Sequence, residues 1–236
     1  MANDHFSFKQ FTIYQHRSAF KVGTDGVLLG ACADITGVRS ILDIGSGTGL
    51  ISIMLAQRCD ATITAIEPDD ESFIQTCENI KNCRWTNRIN VEHTRLQAFN
   101  PTKGKFDLIV TNPPYFSDSL KNPDLRKSVT RHNDSLTSRD ILEGVLKSLK
   151  EYGRLQLIMP YVEGNVFIAE AIKYGLYCNR ILKIKPLPTS DIRRLILTFS
   201  KSQEKTSESF LTIEHGKRHE FTEEYINLTK DFYLKF

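Results

Sequence analysis

Residues 42–50 read Leu42-Asp43-Ile44-Gly45-Ser46-Gly47-Thr48-Gly49-Leu50. An apolar run ends beside an acid, three glycines alternate with small hydroxyl residues, and an apolar run resumes. That is the composition of a tight strand-to-helix turn. Glycine adopts backbone angles that other residues avoid and lets a ligand approach the main chain. The helix that follows points unpaired N–H groups at whatever lies over the turn. A dinucleotide turn is spaced G-x-G-x-x-G. Here the spacing is D-x-G-x-G-x-G, with Asp43 near the end of the strand. A carboxylate there repels a pyrophosphate and suits a ligand that carries a cationic amino acid.

Outward from the turn, short apolar runs alternate with amphipathic ones. Ile41–Ile44 predicts the first core strand and Leu50–Gln57 its helix. Thr62–Ile66 predicts a second strand ending in Glu67-Pro68, and Asp69 or Asp70 caps a helix to about Cys83. Ile89–Glu92, Phe106–Thr111 and Arg154–Met159 predict three more strands. Ser138 caps a helix through Leu149, and Val166–Tyr174 predicts another. Tyr177–Lys185 and Arg193–Ser200 follow one another with no helix between them, as an antiparallel hairpin does. The expected fold is α/β: a seven-stranded, mostly parallel sheet with an antiparallel C-terminal hairpin and helices on both faces.

Upstream, Phe6, Phe8, Phe11 and Ile13 suit a short strand or hairpin. Phe8 and Phe11 read as packing residues. Thr24 caps a helix through Val27, Leu28 and Ala31. Beyond Lys201 come a polar break, a short strand near Phe210–Ile213 and a final helix from about Thr222. We read residues 1–236 as one domain. Its parts are an N-terminal extension (1–38) that closes over the ligand, a catalytic core (39–201) and a C-terminal extension (202–236).

Of the 236 residues, 40% are hydrophobic and 25% charged, an ordinary globular balance that argues against disorder. No apolar run approaches the roughly 18–20 residues that span a bilayer, and Met1 to Phe6 lack the start of a secretory leader. The five cysteines, Cys32, Cys59, Cys77, Cys83 and Cys178, form no C-x-x-C pair. That spacing argues against a structural zinc site, and no metal is expected. The thiols read as reduced, in a cytoplasmic protein.

The net charge of +3 is mild, but its distribution is uneven. Arg180, Lys183, Lys185, Arg193, Arg194 and Lys201 stand against Asp191 alone; Lys121, Arg126, Lys127, Arg131 and Arg139 stand against Asp124 and Asp134. Two basic stretches in one chain suit a polyanionic partner.

The fourth predicted strand ends in Thr111-Asn112-Pro113-Pro114-Tyr115. In open α/β sheets the carboxyl ends of the strands face the ligand crevice. The two prolines fix φ and stiffen the loop. Asn112 then offers its side-chain carbonyl and Pro113 its backbone carbonyl as neighbouring acceptors. A conjugated NH₂ group has two N–H donors and a delocalised lone pair. Accepting both N–H bonds returns electron density to the nitrogen and orients it, which is catalysis by position and electrostatics. Tyr115 supplies a flat face for stacking a base.

The D-x-G-x-G-x-G turn from Asp43, with Glu67 closing the next strand, resembles the class I S-adenosylmethionine-dependent methyltransferases. That resemblance implies S-adenosylmethionine as cofactor, with Asp43, Gly45, Ser46, Gly47, Gly49, Glu67, Pro68 and Asn112 at its site. A Glu67 carboxylate accepts hydrogen bonds from both ribose hydroxyls of such a ligand. In that family an acidic or polar residue after the third strand commonly reads the adenine. Here the stretch is His93-Thr94-Arg95-Leu96, and the Leu96 backbone is assigned the contact. Asn-Pro-Pro-Tyr is shared by enzymes that methylate the exocyclic amine of adenine or cytosine and by those that methylate a glutamine side-chain amide.

Three further blocks narrow the family: Phe8-Lys9-Gln10-Phe11, the run Phe20-Lys21-Val22-Gly23-Thr24-Asp25-Gly26, and the terminus Tyr225–Phe236. Together they resemble the bacterial tRNA adenine-N6 methyltransferases acting on valine tRNA, over essentially the whole chain. The resemblance implies methyl transfer to N6 of the adenosine just 3′ of the anticodon, with the anticodon stem-loop as partner and no obligate protein partner. Lys21, Gly23, Thr24 and Asp25 are expected to close over the methionine end of the cofactor. A protein-glutamine N5 methyltransferase would share the two central motifs but usually carries a helical N-terminal substrate domain, for which about 40 residues leave little room. A non-catalytic RNA-binding module would have no use for intact Asn112–Tyr115 acceptors.

Overall fold

The computed structural model describes residues 4–18, 20–101, 105–114 and 136–236. The chain opens with a small antiparallel hairpin, β1 (His5–Ser7) and β2 (Thr12–Tyr14), and then the helix α1 (Thr24–Cys32). The core follows as β3 (Ser40–Ile44), α2 (Leu50–Arg58), β4 (Thr62–Glu67), α3 (Asp70–Lys81), β5 (Ile89–His93) and β6 (Phe106–Thr111). After α4 (Ser138–Ser148) come β7 (Leu149–Pro160), α5 (Tyr161–Lys173), β8 (Tyr177–Lys185), β9 (Arg194–Ser200), β10 (Ser207–Thr212) and α6 (Glu223–Thr229).

The main sheet has eight strands in the order β10-β8-β9-β7-β6-β3-β4-β5. Strands β3 to β7 are parallel, and β9 runs antiparallel to both of its neighbours. The seven expected strands are present, and the short strand near Phe210 becomes the eighth by pairing in parallel with β8. The chain leaves β3 toward β4 and β5, then crosses back to β6 on its other side. A ligand crevice therefore opens outside the carboxyl ends of β3 and β6, where the order reverses.

Side chains alternate across the sheet with the period of two that a strand imposes. Ile41, Leu108, Val110 and Ile158 face one cluster, built with α1, α2 and the chain ends. Leu42, Ile109, Leu155 and Leu157 face the other, with Ile141 and Val145 of α4 and Phe167 of α5. Phe8 and Phe11 lie in the first cluster, stacked at 4.6 Å, and Phe8 also stacks on Tyr233. They are packing residues, as read. Lys9 donates from Nζ to the backbone carbonyls of Lys230 and Phe236, which joins the two chain ends.

Three helix starts differ from the sequence reading. Thr24 does not cap α1; Gly23 is the N-cap and makes no side-chain cap bond. Thr137, not Ser138, caps α4 through a reciprocal box with Asp140, an arrangement worth about 1 kcal/mol for the cap alone. Helix α5 begins at Tyr161, directly after Pro160, because proline tolerates a helix start but not its interior. Asp69 does cap α3, accepting from Ser72 N at 2.9 Å.

Candidate active site

The turn after β3 is held from below by β4. Gly45 N and Ser46 N both donate to Ile66 O, at 2.9 and 3.1 Å. Gly45, Gly47 and Gly49 have φ of 71°, 59° and 79°, the left-handed region that glycine occupies without strain. Among the described residues, a Cβ on Gly45 or Gly47 would meet no atom within 4 Å. At the head of α2 the turn thus presents bare backbone that no described residue covers at Gly45 and Gly47.

Two carboxylates flank it. Glu67 ends β4 and is 6% exposed. Its Oε2 accepts from Gly47 N at 2.8 Å and its Oε1 from Asp69 N at 3.1 Å. Burial raises its pKa above the ordinary carboxylate value, against the pull of these two N–H donors. Asp43 is fully buried. Its Oδ2 accepts a 2.6 Å bond from Ser52 of α2, while Oδ1 has no hydrogen-bond partner among the described residues. Burial pushes its carboxyl up to about 6; the Ser52 bond works against that shift and the charge of Glu67 adds to it.

The third component comes from β6. Thr111 pairs in register with Ile44, and its hydroxyl donates to Ile44 O at 2.9 Å. The end of β6 is thereby pinned to the residue that opens the glycine turn. Asn112, the next residue, is half-buried; Pro113 is buried and Pro114 exposed. Tyr115 lies outside the described residues.

The other expected site residues are placed less uniformly. Lys21, Gly23 and Thr24 are exposed beside the first turn of α1. A Cβ on Gly26 would lie 3.1 Å from Leu50 at the head of α2, so this turn adjoins the glycine loop. Asp25 forms a 2.7 Å ion pair with Arg194 at the start of β9. Pro68 is exposed, and its carbonyl lies 3.2 Å from His93 Nε2. Leu96 is a core residue: a Cβ on Gly144 of α4 would clash with it at 2.6 Å, and its carbonyl accepts from Phe99 N. Its side chain is therefore committed to packing.

Sequence reasoning missed the residues that hold these parts still. Ser52, Gln75, Thr76, Asn79 and Thr111 are each wholly buried polar side chains. Thr76 donates to Gly47 O at 2.7 Å and Asn79 to Thr48 O at 2.8 Å. The sequence carried no signal for them: Ser72, Gln75, Thr76 and Asn79 are polar helix positions that resemble a solvated face, and only the fold turns them inward.

A mixed sheet of this order, with a glycine turn at its switch point and a carboxylate closing the next strand, defines a class I methyltransferase. The methyltransferase small domain family model matches residues 20–164. A tRNA1(Val) (adenine(37)-N6)-methyltransferase of Trichodesmium erythraeum is 43% identical over 240 residues, covering 100% of both chains. One of Phocaeicola vulgatus is 45% identical over 99% of both. Among solved structures, a predicted O-methyltransferase, Atu636 from Agrobacterium tumefaciens, superposes with a TM-score of 0.65 at 21% identity, covering 88% of this chain and 96% of that one. The chain belongs to the methyltransferase small domain family and, within it, to the family of these two full-length relatives.

S-adenosylmethionine is the cofactor of this class, and the turn fits it. A cationic amino acid would offer Asp43 Oδ1 the partner it lacks, and the open face of Gly45 and Gly47 leaves room for a ligand against the backbone. Among the described residues no group of three His, Cys, Asp or Glu is placed to hold a metal ion, and no helix is long and apolar enough to cross a membrane.

Proposed function

We propose that this crevice transfers a methyl group from S-adenosylmethionine to N6 of adenosine 37 in valine tRNA, the reaction in the names of its full-length relatives. The observation that carries the reading is the Thr111–Ile44 bond, which fixes Asn112 beside the glycine turn. When bound, the cofactor supplies a methyl group activated by a positive sulfur. Asp43 balances its charge, Glu67 accepts from its ribose, and Gly45, Ser46, Gly47 and Gly49 form its floor. Asn112 and the Pro113 carbonyl accept the two N–H bonds of the adenine amine and orient its nitrogen. Lys21, Gly23 and Thr24 border the site at the head of α1. The test is transfer of labelled methyl to valine tRNA, to the same tRNA with guanosine at position 37, and to a release-factor protein. Label on the first alone is expected; label on the protein would identify a glutamine methyltransferase instead.

Glu67→Ala should weaken cofactor binding by tenfold or more, since hydrogen bonds to a charged acceptor contribute about 1.5–3 kcal/mol each. An unchanged Kd by calorimetry would remove Glu67 from the site.

The basic stretch around β8 and β9 is less available to RNA than its composition suggests. Lys183 pairs with Glu208, Lys201 with Glu151, Arg194 with Asp25, and Arg180 approaches Asp34 at 3.9 Å. Arg180 and Lys201 also lie at the end of the sheet away from the crevice, because β8 and β9 are antiparallel. Arg193, exposed at the crevice end, is the phosphate contact we assign. Arg193→Ala should reduce the log–log salt slope of tRNA binding by about one unit. Arg194→Ala should leave the slope unchanged and lower thermal stability. Equal slopes for Arg193→Ala and the unsubstituted protein would exclude this contact. Of the second basic stretch, Lys121, Arg126, Lys127 and Arg131 lie outside the described residues.

A further inference from the structure

We propose that Asn79 is a positioning residue that couples the N-terminal segment to the glycine turn, so that cofactor occupancy and ordering of that segment favour one another. The inference rests on the assignment of the turn to S-adenosylmethionine.

Asn79 sits near the end of α3 and is fully buried. Its Oδ1 accepts from Tyr14 N at 2.9 Å, and its Nδ2 donates to Tyr14 O at 2.8 Å. The side-chain amide therefore treats the last residue of β2 as a neighbouring strand would, exchanging both bonds. The second Nδ2 hydrogen goes to Thr48 O at 2.8 Å, inside the glycine turn. One side chain thus bridges two backbones that are 34 residues apart in sequence, Tyr14 and Thr48.

The rest of the helix face repeats the arrangement on both sides. Toward the turn, Thr76 donates to Gly47 O at 2.7 Å and lies 3.3 Å from Ser46 Oγ. Toward the N-terminal segment, Gln75 Oε1 accepts from Arg17 N at 3.1 Å, and Glu71 holds the Arg17 guanidinium at 3.0 Å. Further on, Gln15 Oε1 accepts from Val22 N at 2.8 Å, just before the Gly23 cap of α1. The chain between β2 and α1 is thus tied to α3 where it begins and to β9, through Asp25 and Arg194, where α1 starts.

Asparagine is needed for this because it alone at that length supplies two donors and an acceptor in one plane. A ligand that orders the Gly47–Thr48 backbone orders its partner Asn79, and Asn79 in turn holds Tyr14. Linkage requires the effect to run equally in the other direction.

Hydrogen–deuterium exchange of the full chain tests this, with S-adenosylhomocysteine as the probe. Saturating probe should slow exchange in peptides containing Tyr14 and Arg17 as well as in those spanning the glycine turn. In Asn79→Ala the probe Kd should rise about tenfold, within the usual range of coupling between sites, and the response at Tyr14 and Arg17 should vanish while that at the turn persists. Thr76→Val, which removes only links to the turn, should retain the response at Tyr14. Protection of the turn without protection of Tyr14 and Arg17 in the unsubstituted protein overturns the coupling. Protection at neither place overturns the cofactor assignment and the coupling with it.

Discussion

Asn112→Ala should lower methyl transfer to valine tRNA by about 10²–10³, the usual effect of deleting one preorganised acceptor or donor at a reacting centre. Cofactor affinity should change much less. Asn112 follows Thr111, whose bond to Ile44 O ties the end of β6 to the residue before the glycine turn, and in the proposed reaction its side chain meets the acceptor amine. The loss should fall on kcat more than on KM for tRNA, because the amine bonds matter most as the nitrogen gives up its lone pair. Asn112→Asp is the sharper variant. A carboxylate could still accept the N–H bonds, but it adds a negative charge that would attract the positive sulfur of the proposed cofactor, and so should favour cofactor binding over turnover. Single-turnover transfer with saturating cofactor separates chemistry from binding. Wild-type turnover in Asn112→Ala would remove this side chain from the reaction.

The parts of the site that were legible in the sequence are those written into contiguous residues. The turn from Asp43 to Gly49 needs positive φ at three places and holds glycine at each. The strand over Tyr177–Lys185 has the boundaries its apolar and β-branched residues suggest. Parts determined by distant backbone were not legible. Gln75, Thr76 and Asn79 are polar residues on a helix and look like a solvated face, yet each is 0% exposed. Their partners are main-chain groups of Arg17, Gly47, Tyr14 and Thr48, which no local pattern can bring to the helix. The edge strand β10 was visible as a short strand but not as a parallel neighbour of β8, because that pairing spans a long connection. Asp25 was legible as an acid near the site, but its partner Arg194 lies 169 residues away.

Between pH 4 and pH 7 the largest pH effect should come from Asp43. Its carboxyl is raised by burial from 3.8 to about 6 in the folded protein. Between those values the folded chain holds a proton that the unfolded chain has released, so stability must fall as pH rises through this window. The favourable contribution is complete below about pH 4 and lost above about pH 6. The shift corresponds to roughly 3 kcal/mol at about 1.4 kcal/mol per unit. Asp43→Asn carries no such titration. Its stability relative to the unsubstituted protein should therefore improve between pH 5 and pH 7.5, with a change in the Tm difference of several degrees. Cofactor binding should show the opposite trend. If the proposed cofactor sets its cationic amino acid against Oδ1, it would stabilise the ionised form; binding below pH 6 would then release the proton, and affinity should weaken toward tenfold per unit as pH falls to 5. In Asp43→Asn the affinity should be lower at pH 7.5 and flatter with pH. Glu67→Gln serves as a control, since burial raises the Glu67 carboxyl as well. Calorimetry from pH 5 to 7 in two buffers of different ionisation enthalpy counts the protons directly. Flat affinity without proton release across that range would mean that Asp43 does not balance the cofactor's charge, and that its unpaired Oδ1 serves only the packing of β3 against α2.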